Sequence, residues 1–140
     1  MKLSNVAIHE ISSLLSGIKI TRIEDKDVML PLLHNYLVFR KESNAAMEDI
    51  QAIANKFRED WAEEIATVNS LRKSGEPVDE KKYADYLKAE KDANEAIDKI
   101  NKGEKEIDIE PIDMDAFVSS VGEEIVLSAI GYLVDNGFLK

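Results

Sequence analysis

The sequence predicts a mainly α, α+β protein: a long antiparallel helical hairpin with flanking short helices and a small two-stranded antiparallel β element. Three observations predict it. Apolar residues recur at three- and four-residue steps from Met47 to Leu71, Ser74-Gly75-Glu76-Pro77 then interrupts the helix, and two short stretches alternate apolar with polar residues. With 140 residues, 44% of them hydrophobic and 33% charged, the chain has material for one modest core under a large solvated surface. A single domain over 1–140 is expected, divided into an N-terminal helix and strand (1–30), the hairpin (31–103), and a strand with a C-terminal helix (104–140).

Ser4 or Asn5 caps a first short helix, whose Val6, Ala7, Ile11, Leu14 and Leu15 form one stripe before Gly17. Ile18-Lys-Ile20-Thr-Arg-Ile23 follows as a strand, because β-branched residues in alternation suit a half-buried pleated surface. A long helix can start from Asp25 or Asp27, with Pro31 acceptable only near its first turn, and is expected to settle just before Leu32, since a proline deep inside a helix loses a hydrogen bond and clashes with the preceding turn. Leu33, Tyr36, Leu37 and Phe39 begin its apolar face, and Ser43-Asn44 is its softest point. Asp79 is placed to cap the returning helix, Glu80 to Lys102, whose thinner seam is Tyr83, Leu87, Ala93, Ile97 and Ile100. Glu106 to Ile112 is the natural antiparallel partner for Ile18 to Ile23, with Pro111 favouring an edge. Last, Ser120-Val-Gly-Glu123 has capping-box spacing ahead of a helix that is apolar nearly all round and should be covered.

The chain has no cysteine, so thiolate metal sites and cysteine nucleophiles are excluded, and a cytoplasmic setting is the simplest expectation. The first acidic residue, Glu10, comes too early for a signal-peptide apolar core, and Ile125 to Val134 is half of what a membrane span needs. No membrane association is expected. The net charge of −10 is uneven: Glu76 to Asp115 holds 14 acids against 7 bases, while Met1 to Gly75 holds 11 against 10. Phosphate backbones repel such a domain, so direct nucleic-acid binding is not expected.

Motifs that carry chemistry fail on inspection. His9-Glu10 resembles the start of a zinc-protease helix, but Ser13 stands where the second histidine belongs. His34 reads as an ordinary packed or surface histidine. Asp113, Asp115, Phe117, Ser119 and Glu124 match a calcium-loop spacing, yet Val118 replaces its glycine and Phe117 fills a ligand position, so helix capping by Asp113 or Asp115 is the better reading. The pairs Glu63-Glu64 and Glu123-Glu124 diverge on a helix. The sequence therefore assigns no catalytic residue, no cofactor and no metal.

What remains is a surface for partners. Met47, Ile50, Phe57, Trp61, Ile65 and Val68 make a larger seam than the returning arm answers, and twofold self-association is the simplest way to cover it. These six residues are the expected interface of a homo-oligomer, with a dimer favoured and a different protein partner also open.

The order of segments, with Met1-Lys-Leu-Ser-Asn5 at the start and Glu106-Ile-Asp-Ile-Glu-Pro-Ile112 before the final helix, resembles uncharacterised small helical proteins encoded by tailed bacteriophages and prophages. The resemblance covers nearly the whole chain, apart from a longer hairpin and Pro31. It implies a phage origin, residence in the bacterial host cell or the virion, and a non-enzymatic role in self-association and protein contact, as a virion or assembly accessory or a chaperone. The competing expectation is a counter-defence or regulatory inhibitor that uses the acidic surface or sequesters a small signalling molecule. No functional residue is carried over.

Overall fold

The computed structural model describes residues 1–140. It is mainly helical, with six α-helices and one two-stranded antiparallel sheet. Contacts gather into two compact units: Met1–Ala46 with Lys102–Lys140, and Met47–Asn101.

The first unit opens with strand β1 (Lys2–Ser4), paired with β2 (Glu104–Glu106) in the register Lys2↔Glu106, Leu3↔Lys105, Ser4↔Glu104. Helix α1 (Asn5–Ser16) follows directly, and the Ser4 hydroxyl caps it by accepting from the Ala7 N–H at 3.1 Å. Neither strand is where alternation predicted the pairing. Ile18 to Ile23 is instead a turn leading into a 3₁₀ helix (Ile20–Arg22), and Ile107 to Ile112 runs on beyond β2 without a partner strand. Ile18, Ile20 and Ile23 are all buried, at 7%, 6% and 9% exposure. The step from Ile20 to Ile23 is the three-residue repeat of a 3₁₀ turn, so burial on one side arises here without a pleat.

Helix α2 (Lys26–Asp60) starts directly after Asp25, one of the two starts the sequence offers, and not just before Leu32. Asp25 caps it: its carboxylate accepts from the Asp27 N–H at 3.0 Å and its carbonyl from Met29 at 2.9 Å. Pro31 therefore falls in the second turn, where the carbonyl it leaves without an N–H belongs to the exposed Asp27. The buried face of α2 in this unit is Val28, Leu32, Asn35, Phe39, Ser43 and Ala46. Leu37, expected on that face, is 53% exposed. The helix runs unbroken through Ser43-Asn44 because the Ser43 hydroxyl, 2.9 Å from His9 Nδ1, is bonded to α1 and does not compete for its own backbone.

Buried Asn35 carries a second tie. Its side-chain amide donates to the Glu110 carbonyl and accepts from the Glu110 N–H, both at 2.8 Å, exchanging the two bonds a neighbouring strand would make. Beneath this clamp Ile107 and Ile112 enter a core with Ile8, Ile11 and Leu15 of α1.

The expected single C-terminal helix is two, α5 (Met114–Val121) and α6 (Leu127–Asp135). Asp113, not a capping box at Ser120, does the capping, accepting from the Ala116 N–H at 3.0 Å. The α6 start has no side-chain cap. Contrary to the expected all-round cover, Val126 is 67% and Leu127 84% exposed. Gly137, with φ of 77°, lets the chain reverse so that Phe138 meets Phe39 edge-on at 5.5 Å between ring centres.

The second unit is the helical hairpin. It holds the last part of α2, then α3 (Ala62–Lys73) and α4 (Ala84–Lys102). The helix departs from regular geometry not at Ser43-Asn44, its softest point by sequence, but at Trp61, whose φ of −129° and ψ of 26° leave the helical region. Trp61 N–H still donates to Phe57 and its carbonyl still accepts from Ile65, so the helix bends there while keeping these two bonds. Gly75 turns the chain with φ of 73°. Asp79 caps the turn that leads into α4, its carboxylate accepting from the N–H groups of Lys81 and Lys82 at 3.0 and 3.2 Å.

Candidate functional site

The hairpin seam comes first because the sequence singled it out. Met47 is 43% exposed, Ile50, Phe57, Trp61 and Ile65 are half-buried, and Val68 is fully buried. Val68 therefore packs inside the hairpin and offers no surface to a partner. The returning arm presents a residue that the helical count passed over. Tyr86, 2% exposed, has Phe57 stacked on it at 5.7 Å and Trp61 edge-on at 5.9 Å between ring centres. Tyr83 and Leu87, the residues expected in the seam, are only half-buried.

Tyr86 is fixed from below. Its hydroxyl donates to Glu90 at 3.1 Å, and Arg72 grips the same carboxylate with two N–H donors at 3.0 and 2.9 Å. The Arg72 hydrogen bonds hold the Glu90 carboxyl below its usual range, while burial, then the Glu90 charge, pushes the Tyr86 phenol up. Phe57 and Trp61 thus stand half-open on a rigid base, the state in which aromatic side chains anchor protein contacts. Tyr86 narrows the mismatch between the two arms, and the remaining open surface is at Met47, Ile50 and the outer edges of Phe57 and Trp61.

A second concavity lies wholly within the first unit, between α1 and α6. It measures about 470 Å³ and is lined by His9, Glu10, Ser13, Leu14, Val126, Ser128, Ala129 and Tyr132. No lysine or arginine contributes to it. The Tyr132 phenol is pushed up to about 12, first by burial and then by the neighbouring Glu10 carboxylate. The folded chain therefore keeps a proton that the unfolded chain loses above the ordinary phenol value of 10.0. That contribution is whole below pH 10.0 and is lost as pH rises towards about 12. Melting curves across that window are expected to fall more steeply for wild type than for Tyr132→Phe; parallel curves would show that the phenol titrates freely.

A third cleft, of about 690 Å³, has Lys19 and Arg22 on one wall and Glu123 and Glu124 in the loop after α5. No three His, Asp or Glu side chains converge as a metal site requires, and Asp113 spends its carboxylate on the α5 cap. No helix is long and apolar enough to cross a membrane. No protein-family model, curated protein or solved structure matches the chain.

Proposed function

We propose that this is a phage-encoded, non-enzymatic protein that works by self-association and protein contact in the bacterial host cell or the virion, as an assembly accessory or chaperone. The observation that carries the reading is the half-open aromatic seam on a rigid base: Phe57 and Trp61 held against Tyr86, with Met47 exposed on the same hairpin. Ordering such rings inside the monomer lowers the entropy lost when a partner covers them. A twofold copy supplies the matching patch from a single sequence, which makes a dimer the favoured assembly.

Light scattering coupled to size exclusion is expected to give twice the chain mass of 15.7 kDa. Trp61→Ala should move the mass towards the monomer, and so should Met47→Asp, which alters an exposed side chain and leaves the Tyr86 cluster intact. A wild type that stays monomeric at tens of micromolar overturns the self-association reading.

A further inference from the structure

One carboxylate holds the base of the aromatic seam in the hairpin unit. Glu90 uses both of its oxygens: Arg72 reaches Oε1 with Nη2 at 2.9 Å and Oε2 with Nη1 at 3.0 Å, and the Tyr86 hydroxyl reaches Oε2 at 3.1 Å. These donors suit the ionised form, since a carboxylate accepts on both oxygens and a carboxylic acid carries a donor on one of them. A proton on Oε1 would meet Arg72 Nη2, and a proton on Oε2 would meet Nη1. Either way Arg72 loses its paired grip. The site is sheltered enough for this to matter, with the Glu90 side chain 26% and the Arg72 side chain 45% exposed.

We propose that Glu90 is the switch of the seam: ionised, it holds the Tyr86 ring against Phe57 and Trp61, and made neutral it frees these rings and weakens the contact they serve. The proposal rests on the reading of the seam as a self-association surface and adds what controls that surface. Tyr86 joins the two, with its hydroxyl on Glu90 and its buried ring against Phe57 at 5.7 Å and Trp61 at 5.9 Å. The same ion pair ties the last turn of α3, which carries Arg72, to α4 across the Gly75 turn. Arg72 from α3 and Tyr86 from α4 are the groups that act on Glu90, while Glu64 of α3 acts on Tyr86, and Lys91, Glu95 and Asp98 share the open face of α4. The Arg72 hydrogen bonds, against the opposing effect of burial, hold the Glu90 carboxyl below its ordinary value of 4.5. A lowered carboxyl stabilises the fold above that value, and its contribution is lost as pH falls below it, so the seam loosens on the acid side of 4.5. A twofold dimer needs the ordered rings in both protomers. If neutral Glu90 leaves them in place about a third of the time, the dimer therefore weakens roughly tenfold.

Trp61 is the one tryptophan of the chain, so the tryptophan bands of near-ultraviolet circular dichroism read the seam directly. The test follows that signal in the full chain as pH is lowered, together with light scattering over a dilution series. Glu90→Gln has the donor and acceptor of the protonated acid. At neutral pH it is expected to reduce the tryptophan signal and weaken dimerisation about tenfold, and its signal should stay level below 4.5, where that of the wild type falls. Arg72→Lys keeps the charge and gives up the paired grip, so it should move the wild-type transition up towards 4.5. It decides the matter if Glu90→Gln loses its helical far-ultraviolet signal. Three results overturn the proposal: a wild-type tryptophan signal in Glu90→Gln, a changed signal with an unchanged dimer constant, or an Arg72→Lys transition at the wild-type pH. The two readings fail separately. A monomeric wild type removes self-association, and the Trp61 response to Glu90→Gln then still decides whether the carboxylate holds the seam. A dimer indifferent to Glu90→Gln keeps self-association and removes the switch.

Discussion

Asn35→Leu is expected to cost about 2–4 kcal/mol of stability, although the new side chain is apolar and sits on the buried face of a helix. The reason is what Asn35 holds. Its amide makes both bonds to the Glu110 backbone at 2.8 Å while itself fully buried. Leucine fills the space and leaves the Glu110 N–H and carbonyl without these bonds in a part-buried setting, each an unmet group worth about 1–3 kcal/mol. Asn35→Asp should be at least as damaging, since it places a carboxylate against the Glu110 carbonyl and removes the only donor that carbonyl has from Asn35. Exposed neighbours serve as controls: His34→Ala and Leu37→Ala should stay within about 0.5 kcal/mol of wild type. Urea unfolding measures all four, and hydrogen exchange should show the Glu110 amide released in Asn35→Leu, whereas Asn35→Asp keeps an oxygen that can accept from it. An Asn35→Leu protein as stable as wild type would mean that water replaces the clamp.

Local chemistry was legible in the sequence. Ser4 and Asp113 cap where they were expected to, Asp79 caps the turn before a returning helix that starts at Ala84 and not at Glu80, and Gly75 turns the hairpin, because a cap or a turn is decided by a few adjacent residues. The buried face of α2 was not legible, since Asn35 and Ser43 lie on it and a count of apolar spacing treats both as surface. Each is buried because a partner from another segment satisfies it, the Glu110 backbone for Asn35 and His9 for Ser43. Tyr86 was missed because the seam of the returning arm was counted through Tyr83 and Leu87; in the structure Glu90 accepts the Tyr86 hydroxyl and the ring is free to pack. Periodicity picked out the seam residues from Met47 to Ile65, but neither the Trp61 bend nor the ring contact of Trp61 with Tyr86 is encoded in the spacing. The α1–α6 groove had no local signal, because Glu10 and Tyr132 meet only through the fold.

Ile20→Asp is expected to unfold the protein or cost about 3–5 kcal/mol, while Ile109→Asp should cost about 1 kcal/mol. Paired strands would make the two equivalent, each presenting one side to the same core. The structure separates them. Ile20 is 6% exposed, in the 3₁₀ turn between α1 and α2, packed in the core that holds Ile18 and Ile23 on either side. An aspartate there is an unpaired charge with no route to water, and its neutral form still lacks a hydrogen-bond partner. Ile109 is half-buried, flanked by the exposed Asp108 and Glu110, and it packs against the core only from its edge. Its replacement can turn the carboxylate outward, losing part of one side chain's apolar burial and no more. Urea titrations with matched slopes give both numbers on one scale. Equal losses at the two positions would show that Ile107 to Ile112 presses into the core as a strand does, and would restore the pairing that alternation suggests.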